Sequence, residues 1–324
     1  MVAIRIARAW ELPERVATPE PVFLDRRQFL KTAGATSLAL LGACAGNGES
    51  TAGPPASAPQ SASTAITGLF PAARNSRFSL DRPLTDEHAA GHYNNFYEFT
   101  PDKDVYKFTG NFHPWPWQIE ATGLVEKEQR WDVAQLARAL PLEERLYRHR
   151  CVEAWAMAIP WTGFALKALI EKAKPLSSAK YIRFVSFLRP EQAPGQLLRD
   201  YPWPYYEGLS LAEATNELAF AALGAYGHEL PAQHGAPLRL AIPWKYGYKS
   251  PKSIVRIEFV AAPPRTFWND LAPQEYSFES NVNPAVPHPR WSQASERMLG
   301  TGERRPTQLY NGYAEFVAHL YRPA

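Results

Sequence analysis

Proline recurs too often along this sequence for long helices to run through it. There are 30 prolines among 324 residues, and a proline inside a helix removes a backbone hydrogen bond and clashes with the preceding turn. The chain must therefore fold from short elements joined by many turns. No G-x-G-x-x-G fingerprint is present, and strand-like and helix-like runs do not alternate strictly. Both facts argue against a doubly wound dinucleotide-binding sheet. The pattern predicts an α+β fold with mixed sheets, short helices and much irregular structure.

Periodicity places the elements. Residues 117–125 alternate as a strand with Trp117, Ile119 and Ala121 on one face. Residues 131–140 carry a helical stripe of Val133, Leu136, Ala137 and Leu140. Residues 144–153 read as a strand running into a loop. Residues 164–173 read as a helix ended by Pro175, and 181–188 as a strand. A helical turn is expected at 211–214 and extended chain at 218–223. Strands are expected at 238–243 and 253–260, and a C-terminal helix at 311–321.

The N-terminus reads as an address. Asp25-Arg26-Arg27-Gln28-Phe29-Leu30-Lys31 precedes an apolar, small-residue run over 33–45. Paired arginines before a short apolar segment mark export by the twin-arginine route, and the run is shorter than the roughly 20 residues a bilayer core requires. That route carries folded proteins, often with a cofactor already inserted. Two processing schemes stay open: cleavage around Ala43-Cys44-Ala45, or a lipobox at Leu41-Gly42-Ala43-Cys44 that would anchor Cys44. Residues 1–45 are thus expected as signal, 46–75 as flexible linker and 76–324 as the folded body. A net charge of +3, with no basic stripe and no reading motif, argues against a nucleic-acid surface.

Removing the signal leaves Cys151 as the sole cysteine of the body, so no internal disulfide is expected. In the run Tyr147-Arg148-His149-Arg150-Cys151-Val152-Glu153, an extended chain puts His149, Cys151 and Glu153 on one face and both arginines on the other. Two cations and an imidazolium near the sulfur would favour thiolate. The plain alternative is a small buried hydrophobe. A free thiol in an oxidising compartment is exposed to oxidation unless buried or ligated, and a soft thiolate suits a transition metal. One cysteine holds no iron–sulfur cluster, so the other ligands must come from elsewhere.

Several runs in one order carry a resemblance. They are Tyr93-Asn94-Asn95-Phe96-Tyr97-Glu98-Phe99, the Arg148–Trp155 stretch, Pro243-Trp244-Lys245-Tyr246-Gly247, Asn281-Val282-Asn283-Pro284, His288-Pro289-Arg290-Trp291-Ser292-Gln293-Ala294 and Tyr310-Asn311-Gly312-Tyr313-Ala314. Together they resemble the catalytic subunits of periplasmic protein-methionine-sulfoxide reductases, molybdopterin enzymes of sulfite-oxidase-type fold. The resemblance spans roughly residues 80–322.

It implies one molybdenum–molybdopterin per chain, without an added nucleotide, and Cys151 as the metal's protein ligand. It implies cofactor contacts from Asn94, Tyr97, Glu98, Ser186, His234, Arg239, Ser250, Pro251 and Lys252. Arg239 and Lys252 suit the cofactor phosphate, with backbone N–H groups of 250–253 completing that pocket. Ser186 and His234 stand where relatives carry Thr and often Asn. Glu153 is the candidate for proton delivery or for tuning the metal through its hydrogen bonds.

The implied reaction takes oxygen from methionine sulfoxide in oxidised periplasmic proteins, using two electrons and two protons and releasing water. A haem-bearing membrane subunit would supply the electrons. A sulfite oxidase-like enzyme and a metal-free exported binding protein are the alternatives. Lys245 and Lys249 are expected as surface charges or neighbours of the site, and Trp155, Trp161 and Trp244 as packing.

Overall fold

The computed structural model describes residues 66–321. Arg26, Arg27, Cys44 and residues 46–65 of the expected linker lie outside them. Residues 66–75, also expected as linker, pack onto the body: Ile66 is fully buried, and Arg74 bridges to Glu144 at 2.6 Å.

The described residues form short elements, as the prolines require. The strands are β1 (Gln118–Gly123), β2 (Gln129–Asp132), β3 (Glu143–Arg150), β4 (Trp155–Ala165), β5 (Tyr181–Ser186), β6 (Tyr206–Ser210), β7 (Phe220–Ala225), β8 (His228–Glu229), β9 (Arg239–Ala241), β10 (Ile254–Val260), β11 (Ser295–Met298) and β12 (Arg304–Pro306). The α-helices are α1 (Glu87–Gly91), α2 (Val133–Ala139), α3 (Leu166–Ala173), α4 (Leu211–Ala214), α5 (Phe267–Leu271) and α6 (Ala314–Val317). Local chemistry sets several ends. Asp132 accepts from Gln135 N to cap α2, and Ser210 with Glu213 makes a reciprocal capping box on α4.

One sheet runs β2-β1-β10-β5-β6, with β1 and β10 parallel. The other runs β12-β11-β4-β7-β8, with β3 added on β4 and β9 on β7. This mixed α+β arrangement matches the sequence expectation.

Strand β4 organises the second sheet, and periodicity did not reveal it. Its residues Trp155 to Phe164 are all buried, so it has no polar face to alternate with. Pro160 and Gly163 read locally as breakers, but here they are accommodated. β3 pairs along β4 from Ala156 to Gly163. β11 pairs with its first residues, and β7 only from Trp161 onward. Gly163 is obligatory because an added Cβ would lie 2.0 Å from the Ala221 carbonyl. Phe164, expected in the following helix, therefore belongs to β4, and α3 starts at Leu166. The expected C-terminal helix starts later, at Ala314, and tightens to a 3-10 turn over Ala318–Tyr321. Tyr310 and Asn311 take left-handed backbone (φ 51 and 54), held there because Asn311 donates to Pro243 O and accepts from Arg148.

Candidate functional site

The chain leaves β3 at Arg150, turns through Cys151–Ala154 and re-enters as β4. Cys151 N donates to Trp155 O at 2.9 Å, and Ala154 N to Cys151 O at 3.0 Å. Ala154 closes the turn at φ 65. Three side chains pin its carbonyls. Arg150 donates to Cys151 O, while Trp291 Nε1 and Gln293 Nε2 each donate to Val152 O at 2.7 Å. The run 288–294 thus serves as a brace for the cysteine turn.

The turn aims Cys151 into a cavity of about 390 Å³, which His149 and Glu153 also line. Arg148 and Arg150 point elsewhere, so the alternation deduced from sequence holds although the strand stops at Arg150. Its electrostatic consequence does not hold. Burial, with the Glu153 carboxylate beside it, pushes the Cys151 thiol up to about 12. The arginines fail to offset this because they are engaged: Arg148 with Asp81, Arg150 with Glu296 and Gln293. His149 supplies no imidazolium, since burial and the charges of Arg239 and Lys252 hold it well below its ordinary range.

On one side of the sulfur lies a closed polar network. Asn95 Nδ2 lies 3.5 Å from Cys151 Sγ and donates to Glu153 Oε2 at 2.9 Å. Lys103 bridges Glu153 at 2.6 Å and donates to Asn95 Oδ1. Trp155 Nε1 donates to Glu153 at 3.0 Å. Burial raises the Glu153 carboxyl, but the hydrogen bonds of Asn95 and Lys103 outweigh it and leave the group below its usual value. Asn95 and Lys103 escaped the sequence reading. Asn95 sat unremarked inside the 93–99 run, and Lys103 carries no local signal.

On the other side lie cations with no salt bridge among the described residues. Arg239 is 2% exposed, stands over Trp161 and donates only to the carbonyls of Leu240 and His234. No carboxylate among the described residues pairs with it, and burial holds it down to about 9. Lys252 donates to Asn95 O at 2.5 Å; burial together with Arg239 lowers it, with the nearby buried Glu98 opposing. Asn94 Oδ1 and His234 Nδ1 are buried without a hydrogen-bond partner among the described residues.

Asn94, Tyr97, Glu98, Arg239, Ser250, Pro251 and Lys252 all line the cavity. Ser186 and His234 do not, but they touch residues that do. Ser186 Oγ donates to Lys252 O at 2.6 Å, and His234 O accepts from Arg239. Gly195 lets a loop press on the Tyr97–Glu98 backbone, where a Cβ would meet Tyr97 O at 2.1 Å. The backbone donors expected from 250–253 are mostly engaged: Ser250 N bonds Gly247 O and Ser253 N bonds Gly235 O. An aromatic wall of Tyr97, Tyr201, Trp268 and Tyr276 completes the cavity.

Lys245 and Lys249, open to a surface reading, are instead buried ion pairs with Glu213 and Glu207. Trp155 is more than packing, since it lines the cavity.

Residues 107–268 match the family model of the oxidoreductase molybdopterin binding domain. Over 318 residues, covering 96% of this chain and 93% of the relative, the sequence is 44% identical to the protein-methionine-sulfoxide reductase catalytic subunit MsrP of Burkholderia mallei. The chain belongs to this reductase family. Among solved structures it is similar to the sulfane dehydrogenase SoxCD of Paracoccus pantotrophus, at 16% identity and a TM-score of 0.39 over 47% of this chain and 40% of that one. The family's molybdopterin-binding segment contains Cys151 and the residues from Ser186 to Lys252, while Asn94, Tyr97 and Glu98 enter the cavity from ahead of it.

The donor set of this family member fits a molybdenum–pterin group. A soft sulfur opens into the cavity, the enclosed Arg239 lacks an anion, and the buried Asn94 Oδ1 lacks a partner among the described residues. A phosphate and a heterocycle rich in hydrogen-bonding atoms answer both deficits.

Proposed function

We infer that this chain is a molybdenum-dependent reductase that removes oxygen from methionine sulfoxide in oxidised proteins. The observation that carries this is one cavity pairing Cys151, the one thiol among the described residues, with Arg239, a cation without an ion pair among them. When bound, the molybdenum–pterin group supplies the two-electron oxygen-transfer chemistry.

The chain's own residues do the rest. Cys151 is the sulfur donor, and a bound cation overcomes the burial that keeps it protonated. Arg239 and Lys252 take the phosphate as charge-assisted donors. Asn94 offers its unpartnered oxygen to the pterin, His234 holds Arg239 through its carbonyl, and Tyr97, Glu98, Ser186, Ser250 and Pro251 shape the surroundings. Asn95 orients the sulfur through its N–H. Glu153, held ionised by Lys103, accepts hydrogen bonds and fixes Asn95; its lowered pKa favours tuning over proton delivery. The aromatic wall suits the apolar stem of the substrate and the thioether of its product, because thioether sulfur packs well against ring edges.

The family's designation as a catalytic subunit supports a partner that delivers electrons, and a haem-bearing membrane subunit is the candidate. Arg26-Arg27 ahead of the apolar run supports folded export to the periplasm.

Purified wild type and Cys151→Ser, analysed for molybdenum and assayed on an oxidised protein with an artificial donor, test this. About one molybdenum per wild-type chain and at least a roughly hundredfold loss of turnover in the variant are expected. A metal-free wild type, or an equally active variant, sinks the assignment.

A further inference from the structure

A second groove, of about 570 Å³, adjoins the cavity and shares Val152, Tyr248 and Tyr276 with it. We propose that this groove binds an extended stretch of the oxidised polypeptide next to the methionine sulfoxide, an assignment that rests on the function proposed above. A sulfoxide carried on a chain brings flanking backbone with it. The cavity takes a side chain, so that backbone must lie on the surface beside the cavity mouth.

The lining suits such an occupant. It mixes tyrosines, prolines and carboxamides with the exposed apolar side chains of Val286 and Leu309, which are 60% and 45% accessible. The Asn283 side chain accepts from Ala285 N at 2.9 Å, but among the described residues its N–H₂ donates to nothing. That leaves a donor for a peptide carbonyl. Glu275 pairs with Arg290 at 2.6 Å, which leaves Glu279 as the lining carboxylate without an ion pair among the described residues. With a single such charge in the lining, recognition is mainly of backbone and shape, tolerant of sequence.

The groove is also rigid. Tyr310 stacks on Tyr321 with centroids 5.4 Å apart, and its N–H donates to Val282 O at 2.7 Å. Ser280 and Tyr310 both hold positive φ without being glycine (48 and 51). Such strained positions gather at ligand clamps, and a preformed clamp orders less chain on binding.

The test compares holoenzyme of wild type, Val286→Glu/Leu309→Glu and Asn283→Ala on two substrates. One is free methionine sulfoxide and the other a ten-residue uncharged peptide with a central methionine sulfoxide. Fluorescence anisotropy of a labelled methionine version of the peptide reads binding directly. The expected result is a rise of about tenfold in peptide KM and Kd for the double variant, a smaller rise for Asn283→Ala, and unchanged kinetics on the free amino acid. Equal shifts on both substrates, or none, overturn the proposal. So does self-association that the same substitutions abolish, because it gives the groove to a second copy. A wild type that reduces neither substrate defeats the function itself, and anisotropy then still decides whether the groove binds peptide.

Discussion

Within the stretch from Arg239 to Lys252, four cations lead two different lives. Lys245 and Lys249 are each 1% exposed, and each fills all three donors of its ammonium. Lys245 reaches Glu213, the Glu279 carbonyl and Asn281 at 2.5–2.8 Å. Lys249 reaches Glu207 and the carbonyls of Gly208 and Phe278 at 2.6–2.7 Å. Arg239, about as buried at 2% exposure, engages two of its five N–H groups, both with backbone carbonyls. Lys252 bonds one carbonyl and has only the unbridged Glu98 carboxylate near it. Burial alone therefore does not separate structure from site; partnership does. A buried cation with a carboxylate completes the fold, whereas one without an anion marks where an anionic group belongs.

The contrast can be broken most strongly at Lys249. Lys249→Met strands Glu207, which is fully buried, and should lower unfolding free energy by about 3–5 kcal/mol in denaturant titrations of cofactor-free protein.

A pH series sharpens the other pair. Burial opposes ionisation of Glu213, but Lys245 outweighs it and holds the carboxyl below its ordinary value. The stabilisation is therefore present above the unfolded glutamate pKa of about 4.3 and is lost as pH falls through that range toward the lower folded value. Glu213→Gln should be clearly less stable than wild type at pH 7, with the gap closing below about pH 4. A gap that persists at acid pH would mean packing, not charge, carries the effect.

The smallest expected effect has the opposite sign. Arg239→Met removes a cation with nothing to pair with, so cofactor-free protein should gain about 1–3 kcal/mol, while molybdenum retention by the same variant falls. A loss of stability in the cofactor-free protein would erase the distinction between the two classes of cation.

Much of the site was legible because it is locally encoded. Alternation across 148–153 put His149, Cys151 and Glu153 together and the arginines apart, and the cavity keeps that arrangement. The runs around Asn281, Trp291 and Asn311 stood out as motifs, but their work is tertiary. Asn281 holds Lys245, Trp291 braces Val152, and Asn311 ties Pro243. Strand β4 was invisible because burial on both faces erases the period-two signal. Lys103 was invisible because its partner, Glu153, lies 50 residues away.

By itself the sequence determined short elements, through the frequency of proline, the placement of the lone body cysteine at a strand end, and membership of a molybdopterin reductase family. Those properties follow from residue type and near-neighbour spacing. Only the tertiary structure decided which charges are compensated. It turned two lysines open to a surface reading into buried ion pairs, left Arg239 without an anion, and kept the Cys151 thiol protonated beside arginines whose charge is engaged elsewhere. Ionisation depends on burial and on partners brought through space from distant strands and loops, and no local pattern in a chain encodes either.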